Sequence, residues 1–135
     1  TLTIKDFRIL FVGLFLLLIS CAKRTGVSSL QVVEYSDDFI SMDITGNVPE
    51  YTAIYQLLFR GIPNSNQTSP VISTSEEEVW RKNPAYFEEF FNKNRYKTFI
   101  ISSFKNDKYS SIVSVNLKAL EADLEHHSII RKFGY

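Results

Sequence analysis

From Leu30 to Tyr35 and from Phe39 to Ile44, apolar and polar residues partly alternate on either side of Ser36-Asp37-Asp38. This pattern predicts two strands joined by a turn. The period then lengthens: Tyr51, Ile54, Tyr55 and Leu58 fall three and four residues apart, with Asn47 as the expected cap, Pro49 and Glu50 in the first turn, and Gly61 and Pro63 as stops. That spacing predicts a helix, and Leu57 and Phe59 outside the stripe predict burial on more than one side. Ile62 to Pro70 is a polar loop, after which Val71 and Ile72 suggest a short strand. Ser75 and Glu78 have the spacing of a capping box, with Glu76 and Glu77 at the positive end of a helix dipole and Arg81 and Lys82 one turn on. The charges in this run are therefore read as helix electrostatics, not as a metal site.

Asn83 and Pro84 restart or kink that helix, and Phe87, Phe90 and Phe91, with Tyr86 alongside, form an aromatic face best read as core. Tyr96 to Phe104 and Tyr109 to Leu117 are the strongest strand signals, with Lys105-Asn106-Asp107-Lys108 as the turn of an antiparallel hairpin. Asn116 caps a last helix with Leu117, Leu120 and Leu124 on one side and Glu121, Asp123 and Glu125 around the others, while Ile129 and Ile130 close over the sheet. The order β-β-α-α-β-β-α predicts a single small α+β domain, a mainly antiparallel sheet with about three helices packed on one face. In element order it also resembles the small modified-swapped-hairpin domains of envelope lipoproteins and flagellar accessory proteins.

The N-terminus reads differently. Lys5 and Arg8 precede an apolar run from Ile9 to Ile19 broken only by Gly13, the form of an export signal. At about 1.5 Å per residue a helix of this run covers roughly half of the ~30 Å hydrocarbon core, short for a permanent span. Leu18-Ile19-Ser20-Cys21 follows, and it resembles the lipobox of bacterial lipoproteins. The resemblance implies that the Cys21 thiolate accepts a diacylglycerol and that a peptidase then cuts between Ser20 and Cys21. The expected organisation is a signal peptide over residues 1–20, a lipidated tether over 21–29 and a periplasmic domain over 30–135. The alternatives are a signal cut elsewhere, or an uncleaved anchor with an incidental cysteine. Thr1 is not Met, so a few residues are expected to precede it.

Losing residues 1–20 removes Lys5, Arg8 and Asp6 from 15 basic and 15 acidic residues and leaves 13 and 14. Such a balance, with interspersed charges, argues against nucleic acid as a partner. Cys21 is the single cysteine, so the domain is expected to stand on its core without disulfides. Ala22 is not the Asp that retains enteric lipoproteins at the inner membrane, and the residues after Cys21 are not an acidic surface-sorting cluster. By resemblance the expected location is the periplasmic face of the outer membrane.

Catalytic chemistry is not expected. His126 and His127 are neighbours about 100° apart on a helix, so they do not chelate one ion together and suit a solvated helix end. Asp37 and Asp38 are adjacent in a turn, and there is no glycine-rich phosphate loop or nucleophile elbow. No cofactor or metal is expected beyond the covalent lipid on Cys21. Two classes of function remain. One is a docking or assembly subunit of an envelope complex for secretion, motility or adhesion. The other is a ligand-binding or inhibitor lipoprotein recognising a small molecule, glycan or toxin, with Asn64, Asn66 and Gln67 as the candidate interaction loop and a concave pocket beside it. A cell-wall hydrolase is a third, to be revived by paired carboxylates or Ser and His in one cleft.

Overall fold

The computed structural model describes residues 29–131; the expected signal peptide, the expected cleavage and lipidation residues Ser20 and Cys21, and the expected tether up to residue 28 lie outside them. Strands β1 (Leu30–Tyr35) and β2 (Phe39–Thr45) are followed by helices α1 (Pro49–Phe59), α2 (Glu76–Lys82) and α3 (Pro84–Phe87). Then come β3 (Ile100–Lys105), β4 (Ser110–Asn116) and helix α4 (Leu117–His126). The strands form one antiparallel sheet in the order β1-β2-β4-β3. The fold is α+β, with four α-helices among the described residues, one more than the sequence suggested because Pro84 splits the helical run in two.

Alternation along the central strands explains the layering. Ile40, Met42 and Ile44 of β2 and Val113 and Val115 of β4 are fully buried on one face, against α1 and α4. Pairing brings Ile40 opposite Val115 and Met42 opposite Val113, so the apolar residues meet across strands. On the other face Ser41 and Ser114 share a hydrogen bond of 2.6 Å. Helix α1 buries Ala53, Ile54, Leu57 and Leu58 completely, and Gly61 ends it at φ +86°. A Cβ there would stand 2.0 Å from the Thr68 carbonyl oxygen, so only glycine fits this return of the chain.

Three local expectations need correction. Val48, not Asn47, stands at the cap of α1, with no side-chain cap bond; its carbonyl accepts the Thr52 N–H at 3.0 Å. Val71 and Ile72 are not a strand of the sheet. Their N–H groups donate to the Leu57 and Leu58 carbonyls at 2.9 Å each, satisfying carbonyls that the end of a helix leaves free. The capping box is half formed: Ser75 Oγ accepts the Glu78 N–H, but the Glu78 carboxylate pairs instead with Lys82 at 3.0 Å.

The largest correction concerns residues 88–99. After α3 the backbone widens into a π-turn at Glu88–Asn92, closed by the Lys93 N–H on the Glu88 carbonyl at 3.2 Å. The turn buries the adjacent Phe90 and Phe91 together, against Tyr86, Phe87 and Trp80. Asn94 at φ +62° then starts a 3-10 turn at Arg95–Phe99. The strand predicted from Tyr96 therefore begins at Ile100. Tyr96 and Phe99, three residues apart, both enter the core, and that spacing matches the three-residue period of a 3-10 helix. Ile129 is buried and Ile130 packs beside the core, closing the domain as expected.

The topology gives the domain two distinct ends. Ser29 accepts the Thr45 N–H at 2.9 Å through its carbonyl and donates to Thr45 Oγ1 at 3.0 Å through its hydroxyl. Gly46 donates to the Tyr109 carbonyl at 3.3 Å, so the β3–β4 turn and the start of α1 share this proximal end. The β1–β2 turn, the end of β4 and the start of α4 form the distal end, where the Lys118 N–H donates to the Asp38 carbonyl at 3.2 Å.

Candidate functional site

The loop from Ile62 to Pro70 is tied to itself and to the distal end. Ile62 donates to the Gln67 carbonyl at 2.8 Å. Ser65 Oγ donates to the Ile62 carbonyl at 2.7 Å and accepts the Gln67 N–H at 3.0 Å. Of the three residues expected to recognise a partner, Gln67 turns its amide to the Ser69 carbonyl at 2.7 Å. The Asn66 amide donates to the Ser36 carbonyl at 3.1 Å, sealing the loop onto the β1–β2 turn. Asn64 sits exposed at the tip with φ +64°, a conformation asparagine tolerates better than most residues. Two of the three side chains therefore hold the loop in shape. The surface they support carries exposed Asn64, Asp37 and Asp38, and beside it Val33 and Tyr35 on β1, the outer strand among the described residues, 56% and 48% exposed.

Beside the loop lies a hollow of about 610 Å³ between Gln67, Val71 and Thr74 on one side and Glu121, Glu125 and Ile129 on the other. Glu121 and Glu125 are one helical turn apart on α4 and line the same wall. Burial pushes the Glu121 carboxyl above its usual range, and the charge of Glu125 pushes it the same way. These are paired carboxylates in one hollow, but they project from one wall. General acid–base cleavage of a glycosidic bond instead requires carboxylates flanking the bond. The arrangement suits recognition of a cationic or hydroxylated group better than bond cleavage.

A second polar cluster, which the sequence reading missed, joins α4 to the 3-10 turn. The helical period places Asp123 on an outer face of α4. Its side chain is only 13% exposed and accepts two hydrogen bonds from the Arg95 guanidinium and one from the Tyr86 hydroxyl at 2.7 Å. Arg95 in turn lies 5.9 Å from the ring centroids of both Tyr86 and Phe99. Burial by itself would raise the Asp123 carboxyl, but the Arg95 and Tyr86 hydrogen bonds and the charges of Arg95 and His127 hold it below the usual aspartate range. Burial and the same carboxylate push the Tyr86 phenol far up. Asp123 is the enclosed member and Arg95 and Tyr86 both bond to it, so the cluster reads as a structural clasp. The missing signal is tertiary: the partners lie 28 and 37 residues apart.

His127 Nδ1 lies 2.9 Å from the Asp123 carbonyl oxygen, and both His126 and His127 are exposed at the end of α4. Among the described residues no three His, Cys, Asp or Glu side chains are grouped to hold a metal, and no helix is long and apolar enough to cross a membrane. Comparison with protein-family models, with curated proteins and with solved structures finds no match.

Proposed function

We propose that this chain is a lipid-anchored envelope protein without catalytic activity, which docks or assembles a multiprotein complex at the periplasmic face of the outer membrane. The anchor is Cys21 in Leu18-Ile19-Ser20-Cys21. The observation that supports docking is the polarity of the domain. The described chain begins at Ser29, bonded to Thr45 at the proximal end. The sealed loop, the acidic turn and the exposed edge residues Val33 and Tyr35 lie together at the distal end. A protein tethered at one end and presenting a fixed loop with apolar edge residues at the other suits an envelope partner that reaches toward the membrane. The test is site-specific photocrosslinking in intact envelopes from Tyr35, with Glu89 as a control position and Cys21→Ser as the unanchored form. A discrete adduct from Tyr35 that is absent from Glu89 and lost with Cys21→Ser is expected. Equal labelling from both positions would count against the proposal.

A second reading, a ligand-binding lipoprotein, is favoured by the hollow beside the loop with Glu121 and Glu125 on its wall. It requires that Glu121→Gln and Glu125→Gln abolish ligand-dependent thermal stabilisation, whereas the docking reading leaves them without effect on the Tyr35 adduct.

A further inference from the structure

The proximal end carries an unexpected surface. Tyr109 is 70% exposed, Val48 58% and Phe104 56%, and Lys105 and Lys108 are exposed among them. Phe104, Lys105, Lys108 and Tyr109 line a hollow of about 490 Å³ between the β3–β4 turn and the first residues of α1, with Asn47 and Pro49, the neighbours of Val48, on its other side. The turn that presents Tyr109 is held firmly. The Asp107 carboxylate accepts the N–H groups of Tyr109 and Ser110 at 2.8 and 2.9 Å, and the Asn106 N–H donates to the Ser110 carbonyl at 3.0 Å. Lys108 Nζ rests 5.5 Å from the Tyr109 ring centroid.

We propose that this end of the domain lies against the anionic phospholipid surface that holds the anchor, with Tyr109, Phe104 and Val48 entering the headgroup layer and Lys105 and Lys108 pairing with its phosphates. The inference rests on the reading of Cys21 as the lipid-bearing residue. Eight peptide steps separate Cys21 from Ser29, and fully extended they span at most about 29 Å. A domain of about 100 residues has a radius of gyration near 13 Å and a diameter of roughly 33 Å. A tether shorter than the domain, attached beside Thr45, favours the proximal end as the one that faces the bilayer.

The side chains there suit that surface. Tyrosine is favoured where one part of a ring is apolar and the other wet, and lysine lays its stem on apolar surface while its ammonium reaches phosphate. Three carboxylates lie near this end and each accepts a hydrogen bond from the domain itself: Asp107 from its own turn, Glu50 from the Ser103 hydroxyl at 2.6 Å and Asp43 from the Asn106 amide at 3.2 Å, so Lys105 and Lys108 are the groups left to meet phosphate.

The experiment places tryptophan reporters in the full lipidated chain, reconstituted in vesicles of phosphatidylethanolamine and phosphatidylglycerol whose acyl chains are brominated near the headgroup. Trp80, packed against the core, provides a constant background. The emission added by Tyr109→Trp is expected to be quenched at least twofold, and that added by Tyr35→Trp at the distal end to be unaffected. Lys105→Gln with Lys108→Gln should reduce the Tyr109→Trp quenching without loss of the anchor. Equal quenching at both positions, or none at Tyr109→Trp, overturns the contact while acyl labelling of Cys21 upholds the anchor. Absence of acyl label on Cys21 overturns both.

Discussion

The Asp123 clasp gives the sharpest test of the energetics. Asp123→Asn keeps the shape of the side chain but removes its charge, leaving Arg95 without its bidentate partner. A fully exposed ion pair contributes about 0–1 kcal/mol, whereas breaking a buried one costs about 3–5. With Asp123 13% and Arg95 32% exposed, and with the Tyr86 hydroxyl also bonded to the carboxylate, the expected loss at pH 7 is about 2 kcal/mol. For a domain near 100 residues, with a urea slope of about 1.2 kcal/mol/M, the unfolding midpoint should fall by about 1.7 M. The pH dependence has a definite sign. The folded carboxyl is held below the ordinary aspartate value of 3.8, so the unfolded chain binds more protons between the two values and stability rises with pH across that window. The contribution is present above the ordinary value and is lost as pH falls through the depressed folded one. Urea titrations followed by circular dichroism at pH 7 and about pH 2.5 should therefore show the gap between the native chain and Asp123→Asn narrowing in acid. A midpoint shift under about 0.4 M at pH 7, or a gap independent of pH, would refute the clasp as a source of stability.

Two other substitutions probe the frame around the proposed surfaces. Gly61→Ala at φ +86°, with its Cβ 2.0 Å from the Thr68 carbonyl oxygen, should lower the melting temperature by roughly 10 °C or more and open the loop to limited proteolysis; an unchanged digestion pattern would contradict the closed loop. Phe90→Ala removes a fully buried ring in contact with Phe91 and Phe99, and should cost about 3–5 kcal/mol by chemical denaturation. A loss under about 1 kcal/mol would mean that the π-turn relaxes to fill the space.

What the sequence determined by itself was the set of elements with a clean local period. The alternation of Ile40, Met42 and Ile44 and of Val113 and Val115 sets which face of the sheet is apolar. The helical stripe of α1, the Ser75 and Asn116 caps and the stop at Gly61 also depend on near neighbours. The reading of the Phe87, Phe90 and Phe91 face as core holds for the same reason: rings that large are driven out of water in whichever helix carries them.

Tertiary structure decided where local signals competed. Tyr96 to Phe99 has strand composition, but the demand to bury Tyr96 and Phe99 beside Phe90 turns it into a 3-10 helix. Val71 and Ile72 look like a strand, yet the nearest unpaired carbonyls are those at the end of α1. Asp123 looks like a surface residue, because only folding brings Arg95 and Tyr86 to it. The candidate loop was legible as a loop, but the use of Asn66 and Gln67 as internal ties was not, since their acceptors at Ser36 and Ser69 are fixed by the path of the backbone. Periodicity reports what each residue does with its neighbours in sequence, whereas buried polar pairing and the two ends of the domain depend on which distant segments meet.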